Sequence, residues 1–338
     1  MLANSVARPS TNRAEPDAET RTTLPSLSDT KAKLAEVPEH LLVNGLFEPA
    51  QSFLSRRGKG IRAGLVAATY ELGGGVGRAP SALQDFMELL HAGSLIIDDI
   101  EDGSTSRRNH PALHCTYGLP IALNTGNWMY FLALEKLSQL DLPRVEVGAF
   151  LGHAITTIRR CHEGQALDLT ARVDQLSFSE ILPTVSKITR LKTGALTGLG
   201  SHLGARAAGG NRIVCSILET FGKRLGTVLQ MRNDYLELKS AAMDGSSDDL
   251  FNARATWTWA WAAAECEIYE FQSYQDRLRD RSKSHIQSLA AELLDRIRDR
   301  GQTEIDNVLQ QSLCQLDRHL GCGTSHRFQS VVSRLEQQ

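Results

Sequence analysis

From Lys31 onward apolar residues recur at intervals of three and four, the period of an amphipathic helix, and no stretch alternates as a strand would. Leu41, Leu42, Leu46 and Phe47 open the pattern. Residues 63–72 read as a helix stopped by Gly73-Gly74-Gly75, and Pro80-Ser81 starts the next. Further helices are predicted over 119–140, 145–169, 178–203, 212–238 and 253–274, with one or two more over 289–320. Helices alone, joined by short Gly, Pro or polar breaks, predict an all-α bundle. Residues 1–35 carry Ser, Thr, Pro, Ala and charge without a helical period, which predicts a disordered tail and leaves 36–338 as the folded helical domain. Arg8 and Arg13 ahead of the first acid would suit a transit peptide, but Glu15, Asp17 and Glu19 follow soon after and argue against one.

Composition limits the function without naming it. Of 338 residues, 41% are hydrophobic, enough for a large core. A net charge of −2 gives no general attraction to nucleic acid or an anionic membrane, so an anionic ligand must be held by a local cluster. The six cysteines, Cys115, Cys161, Cys215, Cys266, Cys314 and Cys322, form no CxxC pair and read as reduced thiols of a cytoplasmic protein. No apolar run reaches the roughly 18 residues of a membrane span, and no signal-peptide core is present.

The chemistry gathers in residues 88–118. Leu89, Leu90, Leu95, Ile96 and Ile97 read as a buried helix that runs into Asp98-Asp99-Ile100-Glu101-Asp102, followed by Arg107-Arg108. Residues four apart share a helix face, so Asp98 and Asp102 point together, with Asp99 turned about 100° away. Two carboxylates facing one cavity repel unless a cation lies between them. Hard oxygen ligands that leave room for phosphates suit Mg²⁺. The plainer reading is a solvated acidic helix end, and the apolar run before the acids argues for a cleft instead.

This stretch resembles the first aspartate-rich motif, DDxxD followed by an Arg pair, of the trans-isoprenyl diphosphate synthases. The fuller string, through Tyr117-Gly118 and Tyr130-Phe131-x-x-Leu134-Glu135-Lys136, is most similar to the eukaryotic-type geranylgeranyl diphosphate synthases. The likeness runs from about Arg57 to Thr258. It implies an isoprenoid-synthase-type helical bundle around a central cavity, usually a homodimer. It also implies two to three Mg²⁺ ions and small-molecule prenyl diphosphates as partners, with no nucleic acid and no stable membrane insertion.

The resemblance also implies roles for single residues. Lys59 and Arg62 match the element that binds the diphosphate of isopentenyl diphosphate, with His91 and Arg108 as its further ligands. A lone His on an apolar helix is more often a satisfied core residue, and here its position favours the ligand. Arg107 and Lys192-Thr193 would hold the allylic diphosphate, and Asp98, Asp102, Arg107, Lys192 and Thr193 would carry the catalysis. Gln165 and Asp168 match a conserved-type G-Q-x-x-D element, for which structural hydrogen bonding serves nearly as well as catalysis. Tyr130, Phe131 and His162 would form the floor that limits chain length, and Gly93, being small, would leave the upper pocket open.

The second metal motif departs from the family pattern. Asn233, Asp234 and Glu237 stand where the family has three aspartates, beside Asp98, Asp99 and Asp102 as the other metal ligands, so the third ion should be held more weakly. Gln230 is kept, Arg254 replaces a lysine, and Lys239 is a further phosphate cation nearby. Trp257, Trp259 and Trp261 spread around a helix and read as core. The implied reaction condenses isopentenyl diphosphate with an allylic diphosphate, farnesyl diphosphate, to give geranylgeranyl diphosphate. Class I terpene cyclases and indole-diterpene-type prenyltransferases resemble it in fold and often begin the second motif with Asn-Asp. A cyclase has no use for a full isopentenyl-diphosphate set. A degenerate regulatory subunit is the non-enzymatic alternative, and the intact first motif argues against it.

Overall fold

The computed structural model describes residues 38–336, apart from 57 and 59. The predicted tail and Lys59 lie outside the described residues. Helices α1 (Glu39–Leu42), α2 (Glu48–Leu54), α3 (Ile61–Leu72) and α4 (Ser81–Asp102) lead to a hairpin, β1 (Ser106–Arg107) against β2 (His110–Pro111). Then follow α5 (Leu113–Tyr117), α6 (Leu119–Ser138), α7 (Arg144–Thr170), α8 (Ile181–Thr189) and α9 (Ala195–Ala207). The chain continues through α10 (Arg212–Asp244), α11 (Asp248–Phe251), α12 (Trp257–Glu265), α13 (Ile268–Arg277), α14 (Lys283–Leu320) and α15 (Gln329–Glu336). The architecture is the expected all-α bundle.

Its interior has three parts. The largest is built on α10 and α14 and holds Leu225, Trp259, Trp261, Phe271 and Leu293. A second joins α4, α6, α7 and α9 through Phe86, Leu90, Leu132, Phe150 and Leu199. The third packs Phe53 of α2 on Ile96 and Met129. Each such side chain contributes about 1.5–3 kcal/mol on burial.

Close backbone approach sets the walls around the site. A Cβ on Gly93 of α4 would lie 2.8 Å from the Gly126 carbonyl of α6, and one on Gly126 would lie 2.8 Å from Ile97 Cδ1. These two helices therefore touch through their glycines.

Three elements differ from the sequence reading. The predicted helix 253–274 is two helices, because Glu267 begins a new one, capping it reciprocally with Glu270. The predicted helix 178–203 contains a single π turn, Arg190–Gly194, between α8 and α9. The hairpin after α4 was not foreseen, because its turn places Arg108 and Asn109 at φ of 55° and 61° without a glycine.

Candidate active site

A cavity of about 580 Å³ opens between α4, α6, α7, the π turn and α10. Asp98, Glu101 and Asp102 at the end of α4 line it. Asp99 does not: it is fully buried, and Arg107 donates to its Oδ1 from Nε at 2.6 Å. The hairpin turns Arg107 back onto α4 and sends Arg108 the other way, where it donates to the Arg56 carbonyl at 3.2 Å and lies over the Phe53 ring.

Cations hold these acids. Lys192 Nζ lies 2.9 Å from Asp98 Oδ1 and 2.7 Å from Asp168 Oδ2. Arg254 bonds Asp102 Oδ1 and donates to the Asp168 carbonyl at 2.8 Å. Gln165 donates to Asp98 at 3.0 Å and to Glu101 at 2.7 Å. Burial pushes the Asp98 carboxyl up, but the Lys192 ammonium, Arg107 and Gln165 outweigh it, so it stays below the usual range. Asp102 is pushed up to about 6 by burial and by the Asp98 charge, with Arg254 opposing. Burial lowers the Lys192 ammonium, but Asp98 and Asp168 raise it further, so it stays charged.

The other side of the cavity is basic. Arg62 lines it, half-buried, with its Nε enclosed and without a partner among the described residues. Burial brings its guanidinium down to about 10, against the pull of Glu88. His91 faces the same space, and burial, then Arg62, Arg108 and Arg107, hold it well below its usual value. Its imidazole is neutral. Gly58 and Gly60 also line this side.

The second motif lies opposite the first. Asn233 and Glu237 line the cavity with Asp234, which burial pushes up to about 7. Both Asp234 oxygens already accept hydrogen bonds, Oδ1 from Gln230 and Oδ2 from the Trp257 backbone N–H, each at 2.8 Å. Glu237 Oε1 caps the start of α11, accepting from Ser247 Oγ and Asp249 N. Burial, then the charges of Glu237, Asp234 and Asp168, raises Asp249 well above the carboxylate range. Lys239, expected near the diphosphate, is exposed and does not line the cavity, because α10 turns it outward.

The chain-length residues divide. Tyr130 and His162 line the cavity and meet edge to face at 5.8 Å. Phe131 is 72% exposed, since it follows Tyr130 by one helical position and faces away. Gly93 is spent on helix contact, and the space it leaves is taken by Gly126, Met129 and the Tyr130 ring, so it opens no room in the pocket. Ser94, Leu95, Ile158, Cys161 and Leu196 line the cavity instead.

The sequence model of the polyprenyl synthetase family matches residues 43–293. The chain belongs to this family. It is 31% identical to a geranylgeranyl pyrophosphate synthase of Eremothecium gossypii over 217 residues, 63% of this chain and 67% of that one. It is 33% identical to the Dictyostelium discoideum enzyme of the same name over 199 residues, 58% of this chain and 61% of that one. With one from Penicillium janthinellum the identity is 32% over 216 residues, 62% of this chain and 55% of that one. The match thus spans between half and two thirds of these relatives. Among solved structures, a Caulobacter crescentus polyprenyl synthase complexed with calcium and isoprenyl diphosphate superposes with a TM-score of 0.76 at 20% identity, covering 92% of this chain and 97% of that one. A geranylgeranyl pyrophosphate synthetase from Geoglobus acetivorans gives 0.72 at 21%, with the same coverages. These likenesses establish the isoprenoid-synthase fold.

Glu101, Asp248 and Asp249 also line the cavity and were not singled out by sequence reasoning, while Gln165 and Asp168 make the hydrogen bonds that reasoning allowed them. Asp168 sits one position before the end of its predicted span and three after Gln165. That spacing places both on one face, a signal that was available.

Proposed function

We propose that the chain is a Mg²⁺-dependent prenyltransferase that adds isopentenyl diphosphate to farnesyl diphosphate to form geranylgeranyl diphosphate. One observation carries the reading. Two separate anion-binding halves face one cavity, Lys192 with Arg107 and Arg254 on the acid side, Arg62 with His91 and Arg108 on the other. Two diphosphate substrates need two such halves, and a cyclase needs one.

The donor set fits a hard divalent ion. Asp98 and Asp102 offer carboxylate oxygens on one face, and the Lys192 ammonium between Asp98 and Asp168 stands in for its charge. Among the described residues no three such ligands converge closely enough to cage an ion, as expected while side-chain cations hold the acids. Asp98 and Asp102 would hold Mg²⁺, which would neutralise the leaving diphosphate. Lys192 and Arg107 add fixed positive charge where that diphosphate departs. Arg62 and Arg108 orient the isopentenyl diphosphate, and the neutral His91 donates one N–H to it. Released diphosphate takes the proton. Tyr130 and His162 limit the tail.

The outward faces of α6 and α7 carry Leu119, Leu123, Phe131, Val145 and Ile155, all exposed. We assign this apolar surface to a homodimer, as the family resemblance implies. No described helix is long and apolar enough to cross a membrane.

Product analysis tests the reading. Isopentenyl diphosphate is supplied with each allylic primer, with and without Mg²⁺, and a C20 product is expected only with the metal. A cyclised hydrocarbon with no added isopentenyl unit would transfer the assignment to a terpene cyclase.

A further inference from the structure

We propose that Trp257, a residue that does not line the cavity, positions Lys192 by closing a ring of hydrogen bonds around the π turn. The proposal rests on the prenyltransferase reading only for its kinetic readout.

The π turn Arg190–Gly194 holds an extra residue within an otherwise continuous helix. Such turns are rare and persist where their surroundings hold them. Here both edges are pinned. Thr189, just before the turn and 3% exposed, accepts from the Trp257 indole Nε1 at 2.9 Å. Thr193, inside the turn, donates from Oγ1 to Gln230 Oε1 at 2.7 Å. Gln230 passes the link on through Nε2 to Asp234 Oδ1 at 2.8 Å, and Asp234 Oδ2 returns it to the Trp257 backbone N–H at 2.8 Å. Trp257 thus supplies two donors, one from its backbone and one from its ring.

Chemistry fixes the directions at Trp257. The indole N–H and the backbone N–H can only donate. Asp234 Oδ2 must therefore accept from Trp257, and the Gln230 amide stands with its nitrogen toward Asp234 Oδ1 and its oxygen toward Thr193. Between the two pinned threonines the turn carries Lys192, which also lines the cavity and reaches Asp98 and Asp168. Thr189, Thr193, Gln230 and Asp234 line the cavity, and Trp257 behind them is only 6% exposed. The role goes beyond the core packing that its sequence position suggests. It also gives Asp234 a structural duty within the altered second motif.

The test uses the full chain. Trp257→Phe keeps an aromatic side chain and the backbone bond to Asp234 but deletes the indole N–H together with part of the ring, so the Thr189 variants, which leave the indole whole, separate the hydrogen bond from packing. Thr189→Val deletes the acceptor, and Thr189→Ser restores it. Binding of inorganic pyrophosphate with Mg²⁺ is measured by calorimetry, beside kcat, both KM values and thermal melting. Trp257→Phe and Thr189→Val should each weaken pyrophosphate binding and lower kcat by roughly tenfold, the effect of one lost hydrogen bond. The KM for isopentenyl diphosphate should stay within about twofold, Thr189→Ser should behave as wild type, and the double variant should be no worse than either single one. Unchanged pyrophosphate affinity in Trp257→Phe, losses that add in the double variant, or no rescue by Thr189→Ser would each overturn the proposal. If wild type binds pyrophosphate but makes no C20 product, the prenyltransferase reading fails while the binding arm still decides the role of Trp257.

Discussion

Asp98 and Asp102 share the cavity face of α4, and Asp99 points into the protein toward Arg107. Removing either cavity acid should lower kcat/KM by at least a hundredfold, in the range for losing one preorganised electrostatic group. Asp98→Ala and Asp102→Ala should keep the helical circular dichroism spectrum. Asp99→Ala should behave differently. It strips a buried partner from Arg107, a change that costs about 3–5 kcal/mol when the pair is fully enclosed. Arg107 is 29% exposed, so a melting-point loss of a few degrees is expected, with a smaller fall in rate. A near-normal rate in Asp102→Ala would sink this division of roles. The division was legible in the sequence because four-residue spacing fixes a helix face. The partners were not. Gln165 and Arg254 reach these acids from 67 and 152 positions away, and no local period encodes a contact between helices.

At the scale of elements, helix content and most spans follow from apolar periodicity, while the departures from regularity do not. The π turn keeps the apolar period on both sides, so nothing in the pattern marks it. Gly93 illustrates a second limit. A small residue near the acids reads as free space, yet in the folded chain α6 fills that space. The same seam aims Tyr130 into the cavity and Phe131 out of it. If Tyr130 closes the floor as proposed, Tyr130→Ala should lengthen the main product by at least one five-carbon unit. Phe131→Glu should leave product length unchanged and shift the light-scattering mass from dimer to monomer. Chromatography of the dephosphorylated products reads the first effect. A longer product from Phe131→Ala, comparable to that from Tyr130→Ala, would return Phe131 to the floor.

For the molecule as a whole, the helices of the active site are tied to one another by groups outside it, and one of these makes stability depend on pH. Glu219 of α10 accepts from Lys223 Nζ at 2.6 Å and pairs with His202 of α9, whose Nδ1 lies 3.0 Å away. Burial alone would raise its carboxyl, but the bonds from His202 and Lys223 win and bring it down to about 2. A carboxylate whose pKa is lower folded than unfolded binds its proton more readily in the unfolded chain. Its contribution is therefore complete above the ordinary value near 4.5 and is lost as pH falls toward 2. After allowing for partial exposure, this amounts to roughly 2 kcal/mol. Glu219→Gln should melt lower than wild type at neutral pH, and the gap should close between pH 4.5 and 2, the interval bounded by the two values. Thermal melts of both proteins across that interval make the comparison. A gap that stays constant down to pH 2 would mean that Glu219 acts by packing, without its charge. Because α9 begins where the π turn ends, this tie also bears on Lys192. The activity lost in Glu219→Gln should therefore be small at neutral pH, where the hydrogen-bond ring through Trp257 still holds the turn, and should grow on heating before global melting sets in.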